Sequence, residues 1–179
     1  MTLHPPSDSR LAAQLAFVVE LDKLKLVLRQ TLLVDGSRRE NDAEHSWHVA
    51  AMAVLLAEYA PADADPLRAS RMLLFHDVVE IDAGDTFIHD EAGQGDKDVR
   101  EQAAATRIYG LLPEDQAADL AALWREYEDR QTADSRFAAR HAQEGIPDGA
   151  SGQSGFVEQC FDASRTSCRE ATESHCDVA

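Results

Sequence analysis

The stretch RMLLFHDVVEIDAGD, Arg71 to Asp85, constrains the fold more than any other part of the chain. Met72, Leu73, Leu74 and Phe75 form an apolar run that resumes, after His76 and Asp77, with Val78 and Val79. Such a run reads as a helix that buries most of its surface. Glu80 follows His76 by about one helical turn, and Asp82, Gly84 and Asp85 end the pattern. His76, Asp77, Glu80 and Asp85 therefore gather at the end of a buried helix. A charge held in apolar surroundings without a partner is costly, so an imidazole beside a carboxylate needs a reason to be there. A salt-bridged helix end is one reason and a metal site is another.

A second stretch, RRENDAEHSW from Arg38 to Trp47, favours the metal. Asn41 and Asp42 suit a helix N-cap, and Glu44 lies three residues after Asn41, as in a capping box. The run that follows has helical apolar spacing, with His45 in its first turn and His48 one turn later. Two successive helices joined by a short loop pack antiparallel, which sets the start of the first beside the end of the second. His45 then meets His76 and Asp77. Imidazole plus carboxylate with open positions suits a divalent transition metal: Mn, Co, Fe, Ni or Zn. The order Glu44-His45-Ser46-Trp47-His48 is not HExxH, so a zinc-protease reading fails. His48 is expected to be a hydrogen-bonded core histidine or one that supports the ligands from behind.

Elsewhere the chain reads as one domain of helices. From Ser9 the apolar spacing is helical as far as Leu28, with Lys23, Lys25 and Arg29 at its end, where cations answer the helix dipole. Val34 to Asn41 is a polar connection whose Arg38 and Arg39 are expected to pair with carboxylates. Asp65 and Pro66 open the helix that leads to His76. Asp85 to Lys97 is a Gly- and Asp-rich connection, and its His89-Asp90 pair has no packed helix to position it. Helices are expected over 98–109 and 113–129, with a last one capped by Thr132. No strand signal of alternating β-branched residues is present. The fold class is all-α, a single bundle of five to six helices over residues 9–143. After Leu123 there is no leucine, GIPDGASGQSG reads as linker, and all three cysteines (Cys160, Cys168, Cys176) lie near the end. Residues 144–179 are thus expected to be an atypical, disordered tail with free thiols. The net charge of −16 over 179 residues argues against a nucleic-acid polymer or an anionic membrane as partner. A small phosphate remains compatible, since a metal and an arginine neutralise it locally. The N-terminus MTLHPPSDSR lacks the basic start and apolar core of a signal peptide, so a cytoplasmic location is expected.

The pieces LKLVLRQT, RRENDAEHSW, LFHDVVEIDAGD and LLPEDQAADLAALWREYEDRQTADSRF, in that order and spacing, resemble the HD-domain metal-dependent phosphohydrolases. They are closest to the branch of HD-domain 5'-nucleotidases that acts on deoxyribonucleoside monophosphates, and they span Leu21 to Phe137. The resemblance implies a metal held by His45, His76 and Asp77, and a nucleoside 5'-monophosphate substrate. It places Arg29 on the phosphate, Glu80 on the attacking water and Asp85 at the sugar or the leaving oxygen. It further implies a homodimer. Two departures stand out. Members of the family can carry a tryptophan lining the sugar where this chain has Gln30. The family's last helix also supplies an aspartate as fourth ligand, and alignment on Phe137 puts that position near Ala142. His141, Glu144 and Asp148 are the nearest alternatives, and a shift of reading frame near Ala139 would account for the difference. Without that aspartate, a protein that binds metal or nucleotide without turnover is the alternative reading. A hydrolase of another nucleotide phosphate is a third.

Overall fold

The protein is described here by a computed structural model covering residues 8–84 and 96–144. Asp85, the His89-Asp90 pair and the cysteine-bearing segment lie outside the described residues. Six α-helices of ten or more residues make up the described bundle: α1 (Ser9–Leu21), α2 (Asp42–Leu55), α3 (Pro66–Phe75), α5 (Lys97–Tyr109), α6 (Glu114–Asp129) and α7 (Ala133–Glu144). A four-residue helix, α4 (Glu80–Ala83), follows a 3-10 turn at His76–Val79. None of the described helices is long and apolar enough to cross a membrane.

The core forms where α2, α3 and α7 meet, with α5 and α6 closing it from the other side. Val49 and Ala53 of α2, Ala69, Met72 and Leu73 of α3 and Ala138 of α7 are all buried in this core. Small residues at these contacts let the helix backbones approach closely. The Ser70 hydroxyl donates to the Ala50 carbonyl at 3.1 Å and ties α3 to α2 at that close contact. Tyr109 of α5 is buried and reaches the Phe75 carbonyl at 3.2 Å, at the point where α3 ends.

Several helix boundaries follow the sequence chemistry. Asp65 accepts from the backbone of Leu67 and Arg68, with Pro66 in the first turn of α3. The Thr132 hydroxyl accepts from the Ser135 backbone at 3.1 Å and opens α7. The first helix departs from expectation. It ends at Leu21, not Leu28, and continues as a 3-10 turn over Asp22–Leu26. Its apolar spacing beyond Leu24 is not a buried face, since Leu26 is 81% exposed and Leu28 55% exposed. Leu28–Leu32 instead forms a strand, β1, paired antiparallel with β2 (Arg39–Asn41). The expectation of no strand thus fails at one short hairpin. Its mostly exposed burial pattern carries no alternation for sequence reasoning to detect. Asp35 and Gly36 turn the hairpin: Gly36 takes φ 70°, and the Asp35 carboxylate accepts from the Ser37 backbone at 2.9 Å. A left-handed backbone at that point suits glycine.

At the start of α2 the capping box is formed in both directions, Asn41 Oδ1 accepting from Glu44 N at 3.0 Å. Replacing Asn41 by Ala leaves that amide without its cap and is expected to cost about 1 kcal/mol of folding stability. Urea unfolding with an unchanged slope and a lower midpoint is the expected result. An unchanged midpoint would mean that the cap contributes nothing here.

Candidate metal centre

His45 is placed by the capped first turn of α2. The His-Asp pair is placed by the way α3 ends. Phe75 leaves helical geometry at φ −121°, ψ −1°, and the next four residues tighten into the 3-10 turn, all of them buried. The pair therefore sits on an irregular turn and not, as expected, on the helix itself. The two imidazole rings lie 5.5 Å apart, and one ligand atom from each of His45, His76 and Asp77 falls within 4.8 Å of the others.

Hydrogen bonds assign the ring protons. His76 Nδ1 lies 2.8 Å from the Leu73 carbonyl. A carbonyl only accepts, so Nδ1 carries the proton and Nε2 presents its lone pair. That Nε2 is 3.1 Å from Asp77 Oδ1. His45 Nδ1 lies 3.3 Å from the Glu40 carboxylate, and its Nε2 is buried with no hydrogen-bond partner among the described residues. Burial pushes the His76 pKa down to about 4; Asp77 opposes this, while His45 and Arg29 add to it. The ring is therefore neutral near pH 7, the form that binds a metal. Two bare imidazole nitrogens and a carboxylate oxygen, with outer partners that orient the rings, fit a divalent transition metal.

Arg29 reaches this centre from β1. Its Nη1 donates to Asp77 Oδ2 at 2.8 Å and to Asp42 Oδ1 at 3.2 Å. Asp77 thus turns one oxygen to His76 and the other to Arg29. Glu80, half-buried, opens α4 directly after the 3-10 turn. That short helix is clamped from α5: Arg107 pairs with Asp82 and with Glu20, and Arg100 Nη1 donates to the Ala83 carbonyl at 2.7 Å. The edge of Tyr127 packs on the His76 ring with centroids 5.0 Å apart. Glu101, 3.4 Å from Lys97, is buried, and burial raises its pKa.

The structure brings His45, His76, Asp77 and Arg29 together. It does not bring in His48, which is half-buried against the exposed Trp47 ring, so the expected core or supporting histidine is not found at that position. Arg38 pairs with Glu44 at 2.8 Å, as expected of it. His141 is buried in α7 with Nδ1 2.8 Å from the Phe137 carbonyl, and it is not a member of the three-residue cluster. Ala142, partly buried, sits on the helix that packs against both α2 and α3. Sequence reasoning missed Glu40, Asp42 and Tyr127 as neighbours of the centre. Asp42 carried a signal, but it read as a helix-start acid. Glu40 and Tyr127 reach the site only through the hairpin and the packing of α6.

A family model described as "HD domain" matches residues 21–163. Human 5'-deoxynucleotidase HDDC2 is 32% identical over 127 residues, covering 69% of this chain and 59% of that protein. A 5'-deoxynucleotidase of Pasteurella multocida is 33% identical over 114 residues, covering 59% of this chain and 57% of its own. The chain therefore spans less than two thirds of the length of these curated relatives. A crystal structure described as a predicted metal-dependent phosphohydrolase from Magnetospirillum magnetotacticum superposes with a TM-score of 0.71. It is 66% identical, covering 75% of this chain and 69% of the other. A Pyrococcus furiosus protein at 22% identity and TM-score 0.59 shares the fold.

The His76 environment has a consequence for stability. Because its folded pKa is lowered from 6.5 to about 4, the unfolded chain binds the extra proton first. In metal-free protein this contribution to stability is complete above the unfolded pKa and is lost as pH falls from about 6.5 toward 4. Histidine NMR titration is expected to find the His76 ring neutral, with its proton on Nδ1, at pH 5.5. A ring that titrates near its ordinary value would contradict the burial and the tautomer together.

Proposed function

The chain belongs to the HD-domain family, and from that premise we propose that it is a divalent-metal-dependent phosphohydrolase acting on ribo- and deoxyribonucleoside 5'-monophosphates. The observation that carries this reading is the convergence of three buried metal-ligating side chains with an arginine bonded to the far oxygen of Asp77. The names of the relatives support the nucleotide class.

In this mechanism His45 Nε2, His76 Nε2 and Asp77 would hold the ion. Once bound, it would polarise the phosphoryl group and make water a stronger acid. Arg29 binds phosphate oxygens, since its planar fork suits them and its charge is permanent. Glu80 accepts a proton from the attacking water as the new P–O bond forms. The bond from phosphorus to the nucleoside 5'-oxygen then breaks, and that oxygen takes up a proton to leave as an alcohol. Asp85 would serve the sugar or this leaving oxygen. Gln30, next to Arg29 on β1, stands where members of the resembled family can carry a sugar-lining tryptophan, which is why both sugars are proposed.

One observation favours a second reading, a protein that binds metal or nucleotide without turnover. Among the described residues the cluster has three ligands, and Ala142 offers no fourth. Phosphate release from a panel of nucleoside monophosphates with Mn²⁺ or Co²⁺ decides between the two. Release is expected, and nucleotide binding without release would select the second reading. His76→Ala is expected to abolish metal retention by elemental analysis. Glu80→Gln is expected to keep metal and nucleotide binding while lowering turnover by about 10²-fold or more, the scale of general acid–base help. Equal turnover in Glu80→Gln would make Glu80 structural.

The three-ligand centre is also expected to gain from a fourth oxygen. Ala142→Asp should tighten Mn²⁺ binding in a direct metal titration. An unchanged affinity would mean that Ala142 does not face the ion.

A further inference from the structure

Asp42 is 0% exposed, which is unusual for a carboxylate and costly without a cation beside it. Its place in the first turn of α2 explains an acidic residue there but not its burial, since a helix start accepts an acid on its solvent side equally well. What distinguishes Asp42 is its contact with Arg29. The ion pairs of Arg29 with Asp42 and with Asp77 share one nitrogen, Nη1. An arginine facing a single carboxylate closes on it as a fork, two parallel N–H bonds to two oxygens. With Asp42 drawing on the same nitrogen, Nη1 is shared between two carboxylates and is not Asp77's alone.

We propose that Asp42 is a positioning residue for phosphate recognition: it holds the Arg29 guanidinium between itself and Asp77, so that the fork is turned to an incoming phosphate instead of closing on the metal ligand. This inference rests on the phosphohydrolase reading for its substrate, though the immobilisation of Arg29 stands on geometry alone. Neither residue can take this part by itself. Arg29 lies on an edge hairpin and Asp42 on the helix that follows it, and the Asp42 amide also donates to the Val27 carbonyl at 3.1 Å, which fixes the two elements against each other.

The test is a double-mutant cycle on Asp42 and Arg29 with three readouts. The first uses metal-free protein and follows the Arg29 guanidinium by ¹⁵N NMR. Slow rotation with separate Nη signals is expected in the parent, and averaged signals in Asp42→Ala. The second is calorimetric binding of inorganic phosphate to Mn²⁺-loaded protein, and the third is KM and kcat on a nucleoside monophosphate. Asp42→Ala is expected to raise the phosphate Kd and KM about tenfold, the scale of a lost charge-assisted bond, with kcat changed less. In an Arg29→Ala background the same change is expected to have no further effect on either constant, because a positioning residue acts only through what it positions. Asp42→Asn keeps the side-chain volume and is expected to fold if Asp42→Ala does not, with a smaller effect in the same direction. Effects that multiply with those of Arg29→Ala would reduce Asp42 to a structural acid, as would a lower melting temperature with unchanged phosphate binding. Tighter phosphate binding in either Asp42 variant would make Asp42 a repelling charge and overturn the proposal. A parent that binds no phosphate would sink the phosphohydrolase reading instead, and the NMR readout would then decide the immobilisation of Arg29.

Discussion

Two imidazoles and a carboxylate held out of water coexist only if every proton and lone pair among them has an assigned direction. The partners of this cluster supply those directions. The Leu73 carbonyl takes the Nδ1 proton of His76, Glu40 takes that of His45, and Arg29 takes the outer oxygen of Asp77. Each bond leaves the opposite atom turned inward. Desolvation then does the rest: it removes the proton that would otherwise compete at His76. The centre is thus built less by the three ligands than by the three groups behind them, and those come from a helix backbone and two positions on the hairpin.

The irregular end of α3 follows from the same demand. Adjacent residues on a regular helix do not face one another, so His76 and Asp77 would point to different sides. The step at Phe75 and the tightened turn after it accompany the convergence of both side chains. A clean helix would have been simpler to fold. What makes the break tolerable is its surroundings: Val78 and Val79 are buried within it, and Tyr109 reaches the Phe75 carbonyl. The Arg107 and Arg100 clamps then fix the one-turn helix that carries Glu80. Placement of Glu80, the proton acceptor proposed above, therefore depends on these contacts from α5 as well as on the core.

The sequence was informative wherever chemistry and periodicity coincided. The capping box at Asn41, the Asp65-Pro66 start of α3 and the facing of His45 with His76 and Asp77 all rest on local rules, and the structure has each of them. The hairpin was not legible, because Leu28–Leu32 is exposed on nearly every residue and no alternation marks it. That one miss had consequences. It put Arg29 at a helix end rather than on a strand and concealed the route by which it reaches Asp77. It also left Glu40 without a role and Asp42 read only as a helix-start acid. His48 failed for the opposite reason: its spacing from His45 was right for a shared face, but its half-buried ring stacks on Trp47 instead.

An acidic chain that binds a phosphate must do so through local charge, since at physiological ionic strength charges beyond about 8 Å are largely screened. Among the groups bonded around the cluster, Glu40, Asp42 and Asp77 oppose Arg29, and His76 is neutral. With the Glu80 carboxylate on the next turn, acids outnumber the cation, and the metal-free centre is a poor place for a phosphate dianion. A divalent ion offsets much of that negative charge. On the phosphohydrolase reading proposed above, bound metal would favour the anion and bound anion the metal, because the coupling between two ligands is reciprocal. The count also bears on Ala142. A carboxylate there would hold the ion more firmly and at the same time add negative charge to the loaded centre. A centre with the three ligands found among the described residues would accordingly trade retention of its metal for attraction of its anion.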